Sequence, residues 1–547
     1  MKKICAVSGE IFEVTEDDLK FYEKMGVPEP TLCPEERQRR RLAWRHGGKL
    51  FRIKCHGTGK ETLSMYSEKE TFPIYEQTYW WSDAWDAKDY ARDFNFSRPF
   101  FEQFQELSER VPHISLVNTN SINSYYTSHG LNLKNCFVIV GGTDSEDCLY
   151  GYFIQDCRDT VDADSLVNCE LCFSGNASLG CYNCSYFTHC RNCSDSFLLH
   201  DCYSCKDCIA CVGLSHKQYY IYNKPYTKEE YMKRKKQYLS GKLSDYKALL
   251  SDFNTLKAQT VFPTSHQYNC EECTGDMLFH CHACTNSFDC KNSERCSFLA
   301  FSPNGLESYD CEFNAPKGVQ FSYENVSTLG NNMLGNMLVW HGSDTSYSTE
   351  CHNSNNLFGC IGLKHAEYCI LNKQYSKDEY FALRDKIIEH MKKTDEWGEF
   401  FPIELSPFSY NETVAQEYFP MTKEAVLERG WKWRDDSAQT RLIASQTKIP
   451  DDIADVPDSI CNEILSCETC GKNYKIQKAE LKFYRKMNLP IPHKCSDCRH
   501  RDRMNLRNPR KLFTRTCDNC GIDIQTTFAP ERPEKVYCEK CYLECVE

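Results

Sequence analysis

No stretch of the chain approaches the roughly 20 apolar residues of a membrane-spanning helix, and no low-complexity run is present. Neither a helical membrane protein nor a disordered one is expected. Positive charge is in deficit: the formal net charge is −12, so the surface as a whole is not built to follow a phosphate backbone. Any nucleic-acid site must be local. There is no Walker A sequence, no dinucleotide-binding glycine pattern, no HExxH and no recognisable Ser/His/Asp or Cys/His/Asn set, so a non-catalytic protein is expected. The first residues carry two lysines without an apolar segment behind them, and Glu10, Glu13 and Glu16 to Asp18 follow at once. This reads as a soluble, cytoplasmic protein without a membrane partner.

What the chain has in abundance is cysteine, 36 residues in 547. In a reducing compartment that means metal ligands or buried thiols rather than a disulfide scaffold. The length implies roughly three or four units.

Four CxxC pairs lie near the C-terminus. Cys467 and Cys470 pair with Cys495 and Cys498, and Cys517 and Cys520 with Cys538 and Cys541. Each CxxC turn offers two thiolates to one ion, and two turns complete the tetrahedron of structural zinc, so two Zn2+ sites are expected. The first set, with Gly471, Tyr474, Glu480, Phe483, Tyr484, Pro492 and Arg499 around its knuckles, resembles the zinc-ribbon family of treble-clef type over about 40 residues. The resemblance implies zinc and a fold rather than a function.

The N-terminus is a copy of this region at a constant offset of 462 residues. Leu481, Phe483, Tyr484 and Met487 fall on Leu19, Phe21, Tyr22 and Met25; Arg499, Arg501, Arg503, Arg507 and Lys511 fall on Arg37, Arg39, Arg41, Arg45 and Lys49. Of the eight ligand positions only Cys5, Cys33 and Cys55 persist; Ser8, Glu36, Thr58, Glu76 and Tyr79 replace the others. Cys5, Cys33 and Glu36 remain as a partial ligand set, and loss of the metal is the expectation. Tyr79, Trp80, Trp81 and Trp85 are the candidates for a replacement core.

Thirteen cysteines between 136 and 211 are all separated by multiples of three, which scattered metal-binding pairs would not produce. A coil that turns one residue in three inward would. Cys157, Cys169, Cys181, Cys193 and Cys205 form a 12-residue column, while Cys148, Cys169, Cys190 and Cys211 offer a competing period of 21. Either period gives stacked rungs, so a narrow β-solenoid is expected. In its 12-residue form it resembles the cysteine-rich solenoids of insect antifreeze proteins, in architecture only. The ending repeats 149 residues later, with His216 on His365 and capping boxes at Thr227/Glu230 and Ser376/Glu379 that announce helices leaving the coils. Tyr380, Leu383, Ile387 and Met391 make the stripe that caps the last rung. The two histidines read as structural. Cys281, Cys284, Cys290, Cys296 and Cys311 share one phase that Cys270 and Cys273 do not, which implies a bulge.

The expected fold is mainly β and multidomain: a degenerate zinc-ribbon pair at 1–82, a helical connector at 83–130, a first cysteine-rich β-solenoid at 131–226, and a helical cap and linker at 227–262. A second β-solenoid at 263–375, a helical cap and linker at 376–460, and two four-cysteine zinc ribbons at 461–547 complete it. The order resembles a group of uncharacterised cysteine-rich repeat proteins of small-genome bacteria, with no established activity to carry over.

The solenoid thiols read first as packing, with zinc or iron-sulfur binding at pairs such as Cys169/Cys172, Cys181/Cys184 and Cys202/Cys205, or rung-to-rung disulfides, as alternatives. The local basic signal is Arg499, Arg501, Arg503, Arg507, Arg510 and Lys511, echoed by Arg37, Arg39 and Arg41. Such arginines suit phosphate, with His500 or Trp44 available to stack on bases; the competing reading is a solvated helix. The functional expectation is a non-catalytic zinc-binding scaffold engaging RNA or a nucleoprotein through its ribbons and a protein partner through its solenoids. Thiol-based metal storage or redox chemistry, and pure protein scaffolding, are the alternatives.

Overall fold

Every third residue from Asn120 to Tyr222 has a positive φ near +50°, including the glycines Gly141, Gly180 and Gly213. This left-handed conformation suits Gly, Asn and Asp, and the sequence supplies Asn132, Asn135, Asp144, Asp147, Asp156 and Asp159 in that phase. Val138, Phe153, Leu171 and Leu198 adopt it as well, at a cost of order 1 kcal/mol each that packing must offset. The computed structural model describes residues 1–435 and 448–546. Residues 436–447, within the linker expected at 376–460, lie outside the described residues.

The molecule is β-rich, with a nine-stranded, a seven-stranded and a three-stranded sheet and several two-stranded ribbons. In the nine-stranded sheet the parallel register advances by 12 residues: Val161 pairs with Phe173, Phe173 with Ser185, Ser185 with Phe197, Phe197 with Ile209 and Ile209 with Ile221. The period is therefore 12, not 21. Pairing at the 12-residue step begins at Asn118 with Gly130, inside the stretch read as a helical connector. That stretch does hold the helix Phe100–Ser108. The second block is irregular where the cysteine phase broke, with a step of 11 from Gln267 to Leu278. A step of 14 from Tyr309 to Tyr323 is followed by one of 11 to Leu334.

The cysteine column Cys157, Cys169, Cys181, Cys193 and Cys205 is at most 2% exposed. Its sulfurs are not inert filler. Cys157 Sγ lies 3.3 Å from the Gln155 carbonyl and 3.5 Å from that of Leu166; Cys193 Sγ lies 3.6 and 3.3 Å from those of Arg191 and Cys202. A small side chain with one weak donor thus fills the interior and serves the carbonyls that turn inward. Where serine takes the place, Ser145 and Ser178 donate to the carbonyls of Thr143 and Asn176 and accept from the next rung's Cys157 and Cys190 amides. Both capping boxes form, and Tyr231, Tyr380, Ile387 and Met391 are buried by no more than 1% exposure against the last coils.

The duplication of the ends holds element for element. Helices Glu16–Met25 and Pro34–Leu42 recur as Lys478–Met487 and Ser496–Met504, and strand Phe51–Lys54 as Phe513–Thr516. The ribbons dock crosswise: the N-terminal one on the second block, the C-terminal one on the first. Phe21 stacks on Tyr309 at 3.9 Å, while Tyr484 meets Phe173 edge-on at 5.4 Å. Beneath the first contact, Arg41 reaches Asp310 (3.0 Å), Glu312 (2.9 Å) and Glu324 (2.8 Å), Arg37 reaches Asp310 (3.0 Å) and Arg40 reaches Glu324 (3.0 Å). Beneath the second, Arg499 holds Asp162 (2.7 Å) and Glu480 (3.3 Å), Arg503 holds Asp162 (3.3 Å), and Arg507 pairs with Asp164. Arg37 lies over the Phe298 ring and Arg499 over the Tyr150 ring, each at 4.9 Å.

Removing one partner from such a buried set leaves charges uncompensated. Arg41→Met is expected to cost about 3–5 kcal/mol, whereas Arg501→Ala, on the exposed face of its helix, is expected to stay within about 0.5 kcal/mol. Denaturant unfolding of the two variants checks this; equal effects would contradict the docking role.

Candidate metal centres

In each C-terminal ribbon a hairpin supplies one CxxC knuckle and a helix start the other. Cys495 is the N-cap of Ser496–Met504, which sets Cys498 on its first turn, and Cys538 stands just before helix Glu539–Val546. The amide of Cys467 bonds the Lys472 carbonyl at 2.9 Å and that of Cys517 the Ile522 carbonyl at 2.8 Å, closing the two hairpin knuckles. The sulfurs of Cys467, Cys470, Cys495 and Cys498 all lie within 4.8 Å of one another, and so do those of Cys517, Cys520, Cys538 and Cys541. Cys470 and Cys495 sulfurs are 3.7 Å apart, Cys520 and Cys538 3.8 Å. A tetrahedron with metal–sulfur bonds of about 2.3 Å has an edge of about 3.8 Å, so in both tetrads the four sulfurs are close enough to hold one ion. Burial resists ionisation of Cys467, but the amides of Cys495, Cys470 and Thr469 aimed at its sulfur outweigh that and bring its pKa down to about 6. Cys517 is brought to about 6 in the same way by the amides of Cys520, Cys538 and Asn519. The helix-side thiols go the other way, burial pushing Cys495 up to about 11 and raising Cys498, so only the hairpin thiols Cys467 and Cys517 are held toward thiolate without an ion.

The other residues of the ribbon pattern support the first site from behind. Glu480 accepts from the Gln477 amide (3.0 Å), the Tyr484 hydroxyl (2.7 Å) and Arg499, and the Tyr474 hydroxyl donates to the Pro492 carbonyl at 2.8 Å.

The N-terminal copy keeps the frame and changes the contents. Ser8 Oγ stands 3.8 Å from Cys33 Sγ, and Glu36 turns to Arg39 at 2.6 Å. In the second knuckle pair the amides of Thr58 and Glu76 point at Cys55 Sγ (3.4 and 3.3 Å), while Thr58 donates to Glu76 at 3.2 Å. The Tyr79 ring lies so close over Gly57 that a Cβ there would meet it at 2.2 Å. Of the aromatic run, Trp80 is fully buried, Trp85 is half-buried and packs on it at 5.6 Å, and Trp81 is 38% exposed. Hydrogen bonds and one tyrosine ring occupy the places that thiolates hold at the other end.

The basic residues read as phosphate ligands have partners within the chain. Besides Arg499, Arg503, Arg507, Arg37 and Arg41, Arg510 pairs with Asp289 (3.1 Å), Arg39 with Glu36, and Lys511 with Glu35 (2.5 Å) and Glu10 (3.5 Å). Lys511 thereby joins the two ribbons. Arg501 alone of the nine has no carboxylate partner among the described residues and is exposed. His500 is stacked on Tyr152 at 3.6 Å and Trp44 packs against Phe401 at 4.9 Å, so neither is open to a base. His216 and His365 occupy equivalent left-handed positions, and both are exposed.

Sequence reasoning missed the acceptors Asp162, Asp164, Asp310, Glu312 and Glu324. Their signal was present as carboxylates inside strands that are otherwise buried. Comparison with protein-family models and with curated proteins found no match to this chain.

Titration of the metal-free protein with Co2+ is expected to saturate at two equivalents with thiolate charge-transfer absorption. Cys495→Ser should reduce this to one, and Cys5→Ser with Cys33→Ser should change nothing. A third equivalent lost on the latter substitution would place metal in the N-terminal ribbon.

Proposed function

We propose that the chain is a non-catalytic scaffold held by two structural zinc ions, with two cysteine-filled β-solenoids as its body and a protein partner as its target. The observation that carries this is the pair of four-cysteine sets at tetrahedral spacing. Zinc is favoured over redox metals because all-thiolate, closed tetrahedral sites are its structural signature. The thiols of the blocks argue against storage or redox chemistry on geometry: those of Cys157, Cys169, Cys193 and Cys205 are buried and spend their weak donors on the carbonyls of their own and the next rung.

Support for a protein partner comes from the opening coil of the first block. The two C-terminal coil ends are covered by helices, whereas Ile122 (61% exposed) and Tyr125 (64%) stand open beside Tyr126 on the first rung. Uncovered coil ends with apolar side chains are where such a stack would meet another chain. An RNA partner is less favoured, because eight of the nine basic residues that suggested it are paired internally.

Anaerobically purified protein is expected to be colourless and to contain two zinc ions per chain, and to show no salt-sensitive binding to single-stranded RNA. A brown chromophore or more than two metals would move the chemistry into the solenoids. Tight RNA binding that weakens steeply with salt, and is lost on joint replacement of Arg499, Arg501 and Arg503, would restore the nucleic-acid reading.

A further inference from the structure

A cleft of about 680 Å³ runs between the two blocks. One wall is a single column of the 12-residue step, from Thr119 through Leu131, Val167 and Leu179 to Arg191 and Tyr203; the other includes Phe279, Phe301, Leu329 and Trp340. The blocks meet in reverse order. Arg191 lies over the Tyr268 ring at 3.6 Å, Phe153 stacks on Phe301 and Phe313 at 5.1 and 4.6 Å, and Thr119 and Trp340 share the far end. Seven rung spacings of ~4.8 Å make the wall roughly 34 Å long.

Charge in this apolar cleft is unbalanced. Arg45 lines it at 3% exposure with no carboxylate partner among the described residues. One end of its guanidinium bonds Ser327 Oγ, its face lies 4.3 Å from the Phe313 centroid, and its Nε has no acceptor. The duplicate residue Arg507 has Asp164, whereas the matching carboxylate near Arg45, Glu312, is taken by Arg41. His129 Nε2 and Arg191 Nε, in the same lining, are also buried without a partner. The cleft's own carboxylate, Asp289, is held by Arg510. Burial pulls Arg45 down to about 9, against the fields of Glu417 and Tyr418, which leaves it cationic at neutral pH. A buried cation without a counter-ion is costly, and an anionic ligand removes that cost.

We propose that the cleft binds an elongated amphipathic carboxylate, with its apolar body against Leu131, Val167 and Leu179 on one wall and Phe301, Leu329 and Trp340 on the other, and its carboxylate on Arg45. A guanidinium with one side of its fork open matches a single carboxylate, whereas a phosphate dianion would stay half-neutralised. The volume and mostly apolar lining are those of small-molecule sites. This goes beyond the scaffold function and does not depend on which metal fills the tetrads.

The test uses the full-length, metal-loaded protein and cis-parinaric acid, whose fluorescence rises on burial, against its uncharged methyl ester. One acid molecule is expected per chain, with the ester at least tenfold weaker. Arg45→Gln should remove the preference for the acid, and Leu179→Trp, which fills the cleft, should weaken both probes at least tenfold. Equal binding of acid and ester to the native protein, or no binding of either, would overturn the proposal. So would a preference that survives Arg45→Gln. Should Arg45→Gln fail to fold, Leu179→Trp decides: unchanged binding refutes the site.

Discussion

The molecule depends on buried arginine–carboxylate contacts between each ribbon helix and a block from the other half of the chain. Arg37 and Arg41 are spaced by four residues on one helix, Arg499 and Arg503 on its duplicate, so each pair projects from one face. On the N-terminal side three arginines meet three carboxylates, Asp310, Glu312 and Glu324, all of them sealed from solvent. Such sets add little net stability over apolar packing, but they forbid other arrangements, because a shifted helix strands charges in the interior. That selectivity suits a chain built from repeats, where many registers look alike. Because the docking is crosswise, the two ends of the sequence close over the two blocks and touch at Lys511 and Glu35.

The four-cysteine sets serve this same geometry. At the C-terminal end a four-cysteine set fixes the start of the helix that carries Arg499 and Arg503. At the N-terminal end the equivalent helix begins after Cys33, beside the Ser8 contact and the packing of Phe21 and Tyr22 on Tyr309 and Tyr323. Two different sets of side chains, four cysteines at one end and hydrogen bonds with aromatic packing at the other, thus support one frame. The cleft between the blocks is a product of the same closure.

Much of this was legible in the sequence. The offset of 462 residues located the duplicated ends, the CxxC spacing picked out the eight cysteines that come together in two sets of four, and the three-residue cysteine phase pointed to stacked rungs. The choice of 12 over 21 needed the hydrogen-bond register, although Asn132, Asp144 and Asp156 already marked left-handed corners at that spacing. The arginine partners were not legible, because charge on a helix does not say whether its counter-charge is a phosphate or an aspartate some 330 residues away. Nor was the cleft: Thr119 to Tyr203 forms a wall only once two stacks face each other.

If Cys467, Cys470, Cys495 and Cys498 hold an ion, it acts on the first block through Arg499 and Arg503. Hydrogen–deuterium exchange before and after chelation tests it most directly. That coupling predicts faster exchange in Ser496–Met504 and in the strands Arg158–Val167 and Glu170–Leu179, with Tyr309–Glu312 and Val319–Val326, which pack against the N-terminal copy, unchanged. Unchanged exchange in the first block, or equal loss of protection in both, would contradict it.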